Sequence, residues 1–127
     1  MIESSIGTEK YKVTHSNGRH TFYADEPKEL GGGDTAASPE ELLEASLASC
    51  TLATLRMYTD HKQWEVGEIK ITVNLQHEEQ VNKINRELKF EKTITEEQKT
   101  RLIQVAKACP VSKILSGISE MIVVISK

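Results

Sequence analysis

The sequence predicts an α+β domain, and three observations support that prediction. Segments that alternate polar and apolar residues, as half-buried strands do, occur near the start and again in the middle of the chain. Two other segments place apolar residues at helical spacing, and each follows a capping box. The length of 127 residues, 38% of them hydrophobic, suits a single domain spanning residues 1–127.

The N-terminal region is predicted to form a β-hairpin. Its strands are Lys10–His15 and His20–Ala24, and the pair Asn17-Gly18 between them suits the positive φ angles of a type I′ turn. The glycine-rich run Gly31–Ser38 cannot continue a strand, so a loop is expected there. The run has neither of the usual phosphate-binding glycine patterns, and its role is therefore conformational.

A long helix is expected after this loop. Ser38 and Glu41 form a capping box, and the helical pattern continues to about His61. Arg56 lies about 120° around the helix from Cys50, which makes it a poor partner for that thiol. The predicted buried stripe of this central helix consists of Leu43, Leu47, Cys50, Thr54 and Met57.

Two alternating segments, Gly67–Leu75 and Lys83–Phe90, predict an antiparallel pair of strands. In the second segment Arg86 shares the inward parity of Ile84 and Leu88. Arg86 is either a strand-end residue that reaches solvent or a cation directed at the interior. The sequence favours the solvent interpretation, because long cationic side chains usually extend their charge into water.

A second amphipathic helix follows the Thr95–Gln98 capping box and places Cys109 on its apolar stripe. Pro110 disfavours helical geometry at Cys109. Cys109 is therefore expected to end this helix and to start a short one, Val111–Leu115, where its sulfur could meet backbone N–H groups. Met121–Ile125 has the composition of a final strand.

Composition and charge argue against several classes of function. The net charge is −3, and the 16 basic and 19 acidic residues are interspersed, so a nucleic-acid-binding surface is not expected. No apolar run approaches the roughly 18 residues that cross a bilayer, and no secretory signal is recognisable, so we expect a cytoplasmic protein. The 4 histidines and the cysteines lack metal-ligand spacing, so no metal site is expected.

The two cysteines, Cys50 and Cys109, are the candidate functional residues. Both fall on buried stripes of separate predicted helices, so packing of the two stripes would bring the thiols together. They form either a redox pair or inert core residues, since free cysteine behaves as a small hydrophobe. A reactive thiolate needs a helix N-terminus or a cation. Cys109 meets the first condition better, and Cys50 requires a cation from another segment.

Two stretches, Leu30–Thr51 and Ala106–Leu115, resemble the signatures of the OsmC/Ohr family. The resemblance implies an intertwined homodimer whose two central helices pack against antiparallel β-sheets. It also implies a cysteine-based peroxidase for organic hydroperoxides, in which Cys50 attacks the peroxide and Cys109 resolves it to a disulfide. A dithiol or lipoyl group would return the electrons, and no cofactor is implied.

The resemblance also makes Glu40 an active-site glutamate. An alternative for Glu40 is a first-turn acid that interacts with the helix dipole. On one straight helix Glu40 and Cys50 would lie about 15 Å apart and out of phase. A shared site would therefore need a bridging cation, a bent segment or the partner subunit.

The chain departs from the peroxidase pattern near its N-terminus. Hydroperoxide-reducing members of the family carry an arginine there, whereas Gly7–Lys12 contains lysines and no arginine, and Arg19 follows the turn. A lysine supplies a point charge instead of a bidentate fork. The alternative function is therefore a non-enzymatic or weakly active OsmC-like dimer that senses redox state or binds a ligand.

Overall fold

Antiparallel strands and three α-helices make up the structure, a computed structural model that describes residues 1–126. The chain divides into two units, Met1–Ala45 and a second that begins at Ser46. The α+β class predicted from the sequence is confirmed. No helix in the described part of the chain is both long and apolar enough to span a membrane.

The first unit contains a three-stranded antiparallel sheet in the order β1-β2-β3. Its strands are β1 Glu3–Ile6, β2 Val13–Ser16 and β3 Thr21–Ala24. The predicted hairpin is formed by β2 and β3. Strand β1 pairs with the opposite edge of β2. The sequence did not predict β1, because all four of its residues are exposed and it lacks an alternating apolar pattern.

The turn of this hairpin is not of type I′. Among residues 17–20, which the structure describes in full, only Gly18 has a positive φ, at 90°. Type I′ requires a positive φ at both central residues. Instead, Asn17 Oδ1 accepts hydrogen bonds from the backbone N–H groups of Arg19 and His20 at 2.9 and 2.7 Å. The asparagine thus closes the turn through its side chain without entering the left-handed region.

The glycine-rich loop is held by one buried carboxylate, that of Asp25. Asp25 Oδ1 accepts from the Glu26 N–H at 2.8 Å, and Oδ2 accepts from the Thr35 N–H at 3.1 Å and the Thr35 hydroxyl at 2.6 Å. Gly32 is required where the loop folds back, because a Cβ there would collide with the Glu26 carbonyl. The loop is therefore held in one conformation by these hydrogen bonds, and the role of its glycines is conformational, as the sequence indicated.

Helix α1 spans Pro39–Lys62. The predicted capping box is present: the Glu41 N–H donates to Ser38 Oγ at 3.2 Å, and the Ser38 N–H donates to Glu41 Oε1 at 2.9 Å. The predicted buried stripe is correct at Leu47 and half-buried at Cys50 and Thr54. It is wrong at Leu43 and Met57, which are 40% and 71% exposed. The buried positions follow a four-residue spacing: Leu47, Thr51, Leu55 and Thr59.

The second unit pairs strands β4 Ile69–Gln76 and β5 Lys83–Phe90, as the alternation predicted. Helix α2, Glu96–Lys107, starts with the predicted Thr95–Gln98 capping box. Helix α3, Pro110–Ser116, follows Cys109. The core of this unit is formed by Leu55, Leu102 and Ala106, against which pack Tyr58, Trp64, Ile69, Leu88, Phe90, Ile94 and Val105.

The predicted final strand at Met121–Ile125 is wrong for the single chain. No strand is formed by these residues, and each is between 76% and 95% exposed. Composition favours an extended segment here, but a strand also needs a neighbour with which to share hydrogen bonds. None of the described strands of this chain pairs with the segment.

We expect the substitution Asp25→Asn to lower the melting temperature at pH 7. Hydrogen bonds from the Thr35 hydroxyl and backbone N–H, partly opposed by burial, hold the pKa of Asp25 well below its ordinary value. The charged carboxylate therefore contributes stability above about pH 4, and that contribution is lost as the pH falls. An amide would also place a donor opposite the donors of Thr35.

Thermal unfolding of the wild type and of Asp25→Asn, followed by circular dichroism between pH 7 and pH 2, checks this expectation. The gap between the two melting temperatures should narrow as the pH falls below about 4. Asp34→Asn, in the same loop, is the matched control. A gap that stays constant over this range would contradict the role of the charge.

Candidate functional site

Cys109 is the residue around which the candidate site is organised. It is the N-cap of α3, with φ −65° and ψ 146°, and its side chain is completely buried. This extended geometry is what Pro110 imposes on the residue before it. The Cys109 sulfur accepts a hydrogen bond from the backbone N–H of Ser112, so the predicted meeting of sulfur and backbone is confirmed.

Helix α1 brings two side chains to this sulfur. Thr51 Oγ1, completely buried, lies 3.6 Å from Cys109 Sγ. The Cys50 thiol, which is half-buried, donates a hydrogen bond to the same sulfur. Both cysteines are free thiols. The structure thus brings together the two cysteines that the sequence singled out.

Arg86, on β5, points into the site, and the solvent interpretation favoured from the sequence is wrong. Its Nη1 donates to Thr51 Oγ1 at 3.0 Å and to the Ala106 carbonyl at 3.1 Å. Its Nη2 donates to Ser112 Oγ at 3.1 Å. The inward parity was the correct signal, because Arg86 is half-buried and oxygens from three helices accept hydrogen bonds from its guanidinium.

The surroundings of Cys109 favour its thiolate. Burial on its own raises the pKa of the Cys109 thiol. The hydrogen bonds donated by Ser112, Thr51 and Cys50, together with the positive charge of Arg86, outweigh burial and lower that pKa below its ordinary value. A thiolate is the reactive form of cysteine, so this environment is suited to sulfur chemistry.

A groove of about 400 Å³ opens beside Arg86 and Ser112 in the second unit. Apolar side chains form part of its wall, and polar groups lie among them. The lining residues are Leu47, Val81, Asn82, Ile84, Arg86, Ser112, Leu115 and Ser116. This arrangement can hold an apolar molecule with one polar end near the arginine.

Two other residues weighed from the sequence lie elsewhere. Arg56 donates to the carbonyl of Gly67, consistent with the prediction that it is a poor partner for Cys50. Glu40 lies in the first turn of α1 and belongs to the first unit, whereas the cysteines belong to the second. Its assignment as a site residue stays a prediction. Among residues 1–126 no three His, Cys, Asp or Glu side chains form a cluster that could hold a metal ion.

Sequence reasoning missed Thr51 and Ser112 as parts of the site. Thr51 directly follows Cys50, but the predicted stripe of α1 had a different rotation. Ser112 lies three residues after Cys109, where a helix-start backbone N–H meets the cap residue. Only Arg86 carried a readable signal, a cation at an inward position of an alternating strand.

The sequence of residues 31–122, more than half of the chain, matches the family model described as OsmC-like protein. Among curated proteins no sequence matches that of this chain.

Solved structures share the fold. An OsmC like protein from Mycoplasma pneumoniae is similar with a TM-score of 0.72 at 19% identity, covering 93% of this chain and 87% of that one. An organic hydroperoxide resistance protein from Elizabethkingia anophelis gives 0.67 at 28% identity, covering 92% and 89%. The organic hydroperoxide resistance protein OhrB of Bacillus subtilis gives 0.62 at 25% identity, covering 92% and 90%. These likenesses confirm the OsmC-like fold, and with the family match they establish that this chain belongs to the OsmC-like protein family.

Proposed function

We propose that this protein is a thiol-dependent peroxidase that reduces organic hydroperoxides in oxidative-stress defence. The observation that carries the proposal is the hydrogen bond from the Cys50 thiol to the Cys109 sulfur in an environment that favours a thiolate. Cys50 attacks the peroxide because it is the more exposed of the two sulfurs. Cys109 then displaces hydroxide from the Cys50 sulfenic acid to close a disulfide.

The groove beside Arg86 supports an organic substrate. Leu47, Ile84 and Leu115 offer apolar contacts to an alkyl or aryl group, while the polar hydroperoxide lies toward Arg86 and Ser112. Two of the similar solved structures are named organic hydroperoxide resistance proteins. Small polar peroxides would gain little from such a surface.

A dithiol, of the lipoyl type for instance, is the proposed reductant. Its thiolate attacks the Cys50 sulfur of the disulfide, Cys109 leaves as a thiolate, and the second thiol then releases Cys50. A leaving thiol with a lowered pKa departs faster, which suits Cys109. We place this chemistry in the cytoplasm, where thiols are kept reduced. The cycle needs no metal or organic cofactor.

Glu40 is proposed as the acidic member of the same active site. Two acids, Glu40 and Glu41, occupy the first turn of α1. The capping role belongs to Glu41, which exchanges hydrogen bonds with Ser38. The family resemblance assigns the carboxylate of Glu40 to the peroxide site.

We also propose that residues 1–127 act as one OsmC-like domain in an intertwined homodimer. The run Met121–Ile125 exposes five apolar side chains, and Met57 on α1 is 71% exposed. Contiguous apolar surface of this kind is unfavourable in water and typically marks an interface. A second copy of the chain is the partner that would supply both a strand neighbour and apolar cover.

A second candidate function is a non-enzymatic or weakly active redox sensor of the same fold. One observation favours it: Gly7–Lys12 lacks the arginine of the hydroperoxide-reducing members. In this function the cysteine pair would oxidise and persist as a disulfide instead of turning over with a reductant. Kinetics distinguishes the two candidates.

We expect the wild type to consume cumene hydroperoxide in the presence of a dithiol, and Cys50→Ser to fall to the uncatalysed rate because it lacks the nucleophile. Cys109→Ser lacks the resolving thiol and the neighbouring thiolate, so it should react once, more slowly than the wild type, and accumulate a Cys50 sulfenic acid that dimedone traps. Peroxide consumption and intact mass are the measurements. A wild type no faster than Cys50→Ser would overturn the enzyme and leave the sensor.

The substitution Leu115→Asn should raise the KM for cumene hydroperoxide about tenfold, because it removes apolar contact from the groove. The rate with hydrogen peroxide should stay unchanged. Ile114→Asn, an adjacent position that is 62% exposed and does not line the groove, is the matched control. If Leu115→Asn impaired the reaction with both peroxides equally, or if Ile114→Asn had the same effect as Leu115→Asn, the groove would not be the binding site of the organic hydroperoxide.

In solution the protein should have twice the 14.2 kDa mass of one chain. The double variant Val123→Asp, Ile125→Asp should shift it toward the monomer, since buried carboxylates at an apolar interface are costly. Ser126→Asp, in the same segment, controls for added charge. Sedimentation equilibrium measures the masses, and a wild-type monomer would rule out the dimer.

A further inference from the structure

The chemistry of the guanidinium determines the direction of the hydrogen bonds in the cysteine site. Arginine has donors and no acceptor. Arg86 Nη1 donates to Thr51 Oγ1 at 3.0 Å, and Nη2 donates to Ser112 Oγ at 3.1 Å. Both hydroxyl oxygens are therefore acceptors toward Arg86, and each hydroxyl hydrogen is directed at another atom.

For Thr51 that other atom is the sulfur of Cys109. The two atoms are 3.6 Å apart, a distance at which either could donate. The hydrogen bond with Thr51 lowers the pKa of the Cys109 thiol, which is the effect of a hydroxyl that donates to the sulfur. A hydroxyl polarised by a guanidinium is a stronger donor, and hydrogen bonds to a charged acceptor are the strong ones.

The other groups around this sulfur act in the same direction. The charged and titratable groups that act on Cys109 Sγ in the described structure are Arg86 on β5 and Cys50 on α1. Helix α3 contributes the backbone N–H of Ser112, and α2 contributes the Ala106 carbonyl, which anchors Arg86. Three donors and one cation thus converge on a sulfur that is completely buried.

We propose that Arg86 is a positioning residue that holds one negative charge on the Cys50–Cys109 pair, acting through its own positive charge and through the hydroxyl of Thr51. This inference rests on the proposed peroxidase, because it states how Cys50 becomes a nucleophile. The missing N-terminal arginine in Gly7–Lys12 is then no obstacle, since the charge comes from β5.

The charge gives the first step a proton acceptor. Cys50 forms a bond to one peroxide oxygen, the O–O bond breaks, and the proton of the Cys50 thiol passes along its hydrogen bond to the Cys109 thiolate. The alkoxide takes a proton from water and leaves as the alcohol. Cys109 then attacks the sulfenic acid, and its proton leaves with the sulfenic hydroxyl as water.

The test is the pH dependence of alkylation by iodoacetamide, measured without peroxide by peptide mass. Arg86→Met should move the midpoint for the cysteine pair upward by about one pH unit, so that the thiolate fraction at a pH well below the wild-type midpoint falls about tenfold. Arg86→Lys should shift the midpoint less, because lysine keeps the positive charge but lacks the two guanidinium nitrogens that bind Thr51 and Ser112 separately. Arg101→Met, an exposed arginine of α2 that contacts Tyr58, should cause no shift.

A second readout is the rate of disulfide formation in a single turnover with cumene hydroperoxide. We expect Arg86→Met to be about tenfold slower at a pH well below the wild-type alkylation midpoint, and to recover when the pH exceeds its own raised midpoint. A loss that is merely structural would not recover with pH. An unmoved midpoint in Arg86→Met, or a rate loss that persists at high pH, overturns the inference.

Thr51→Val keeps the inference testable if Arg86→Met fails to fold. This variant replaces the Thr51 hydroxyl with a methyl group of similar size, so it removes the hydrogen bond to Cys109 and should also raise the alkylation midpoint. If folded Thr51→Val has the same alkylation midpoint as the wild type, the claim that Arg86 acts through the Thr51 hydroxyl is overturned. A shifted midpoint in a protein that does not consume hydroperoxide supports the inference and overturns the peroxidase. An active peroxidase whose midpoint does not depend on Arg86 overturns the inference alone.

Discussion

The inward guanidinium of Arg86 is the interaction on which the site depends. A single side chain on β5 binds oxygens from α1, α2 and α3, and these contacts gather Thr51, Ser112 and both cysteines around one point. Even a half-buried guanidinium such as this one is costly to desolvate unless acceptors or negative charge lie close to it. A thiolate at Cys109 supplies negative charge near the Arg86 guanidinium, and the guanidinium in turn stabilises the thiolate. The contact that stabilises the arginine in the fold therefore also makes the sulfur reactive.

Much of the framework around that contact follows from local sequence. The capping boxes at Ser38 and Thr95 and the Cys109-Pro110 junction each produced the element they predict, because these signals act within a few residues. The strand β5 was predicted with its observed bounds, since strict alternation fixes both type and register. The proximity of the two cysteines was expected from two apolar helix stripes, although the buried stripe of α1 is centred on Thr51 and leaves Cys50 half-buried at its edge.

Other features depend on contacts that no local pattern encodes. The buried face of α1 contains Thr51 and Thr59 in place of the larger apolar Met57, because buried hydroxyls there find partners. The inward path of Arg86 was visible in parity, but its acceptors come from residues 20 to 35 positions away. Met121–Ile125 has the composition of a strand, but among the described strands none pairs with it.

The most direct measurement of the central claim is a peptide mass map of the wild type after one equivalent of cumene hydroperoxide at pH 7. Proximity of the two sulfurs, one of them favoured as a thiolate, predicts a single cross-link between the peptides that contain Cys50 and Cys109, with both thiols lost together. Unmodified thiols would contradict the account. A Cys50 sulfenic acid that persists beside a free Cys109 thiol would contradict it as well.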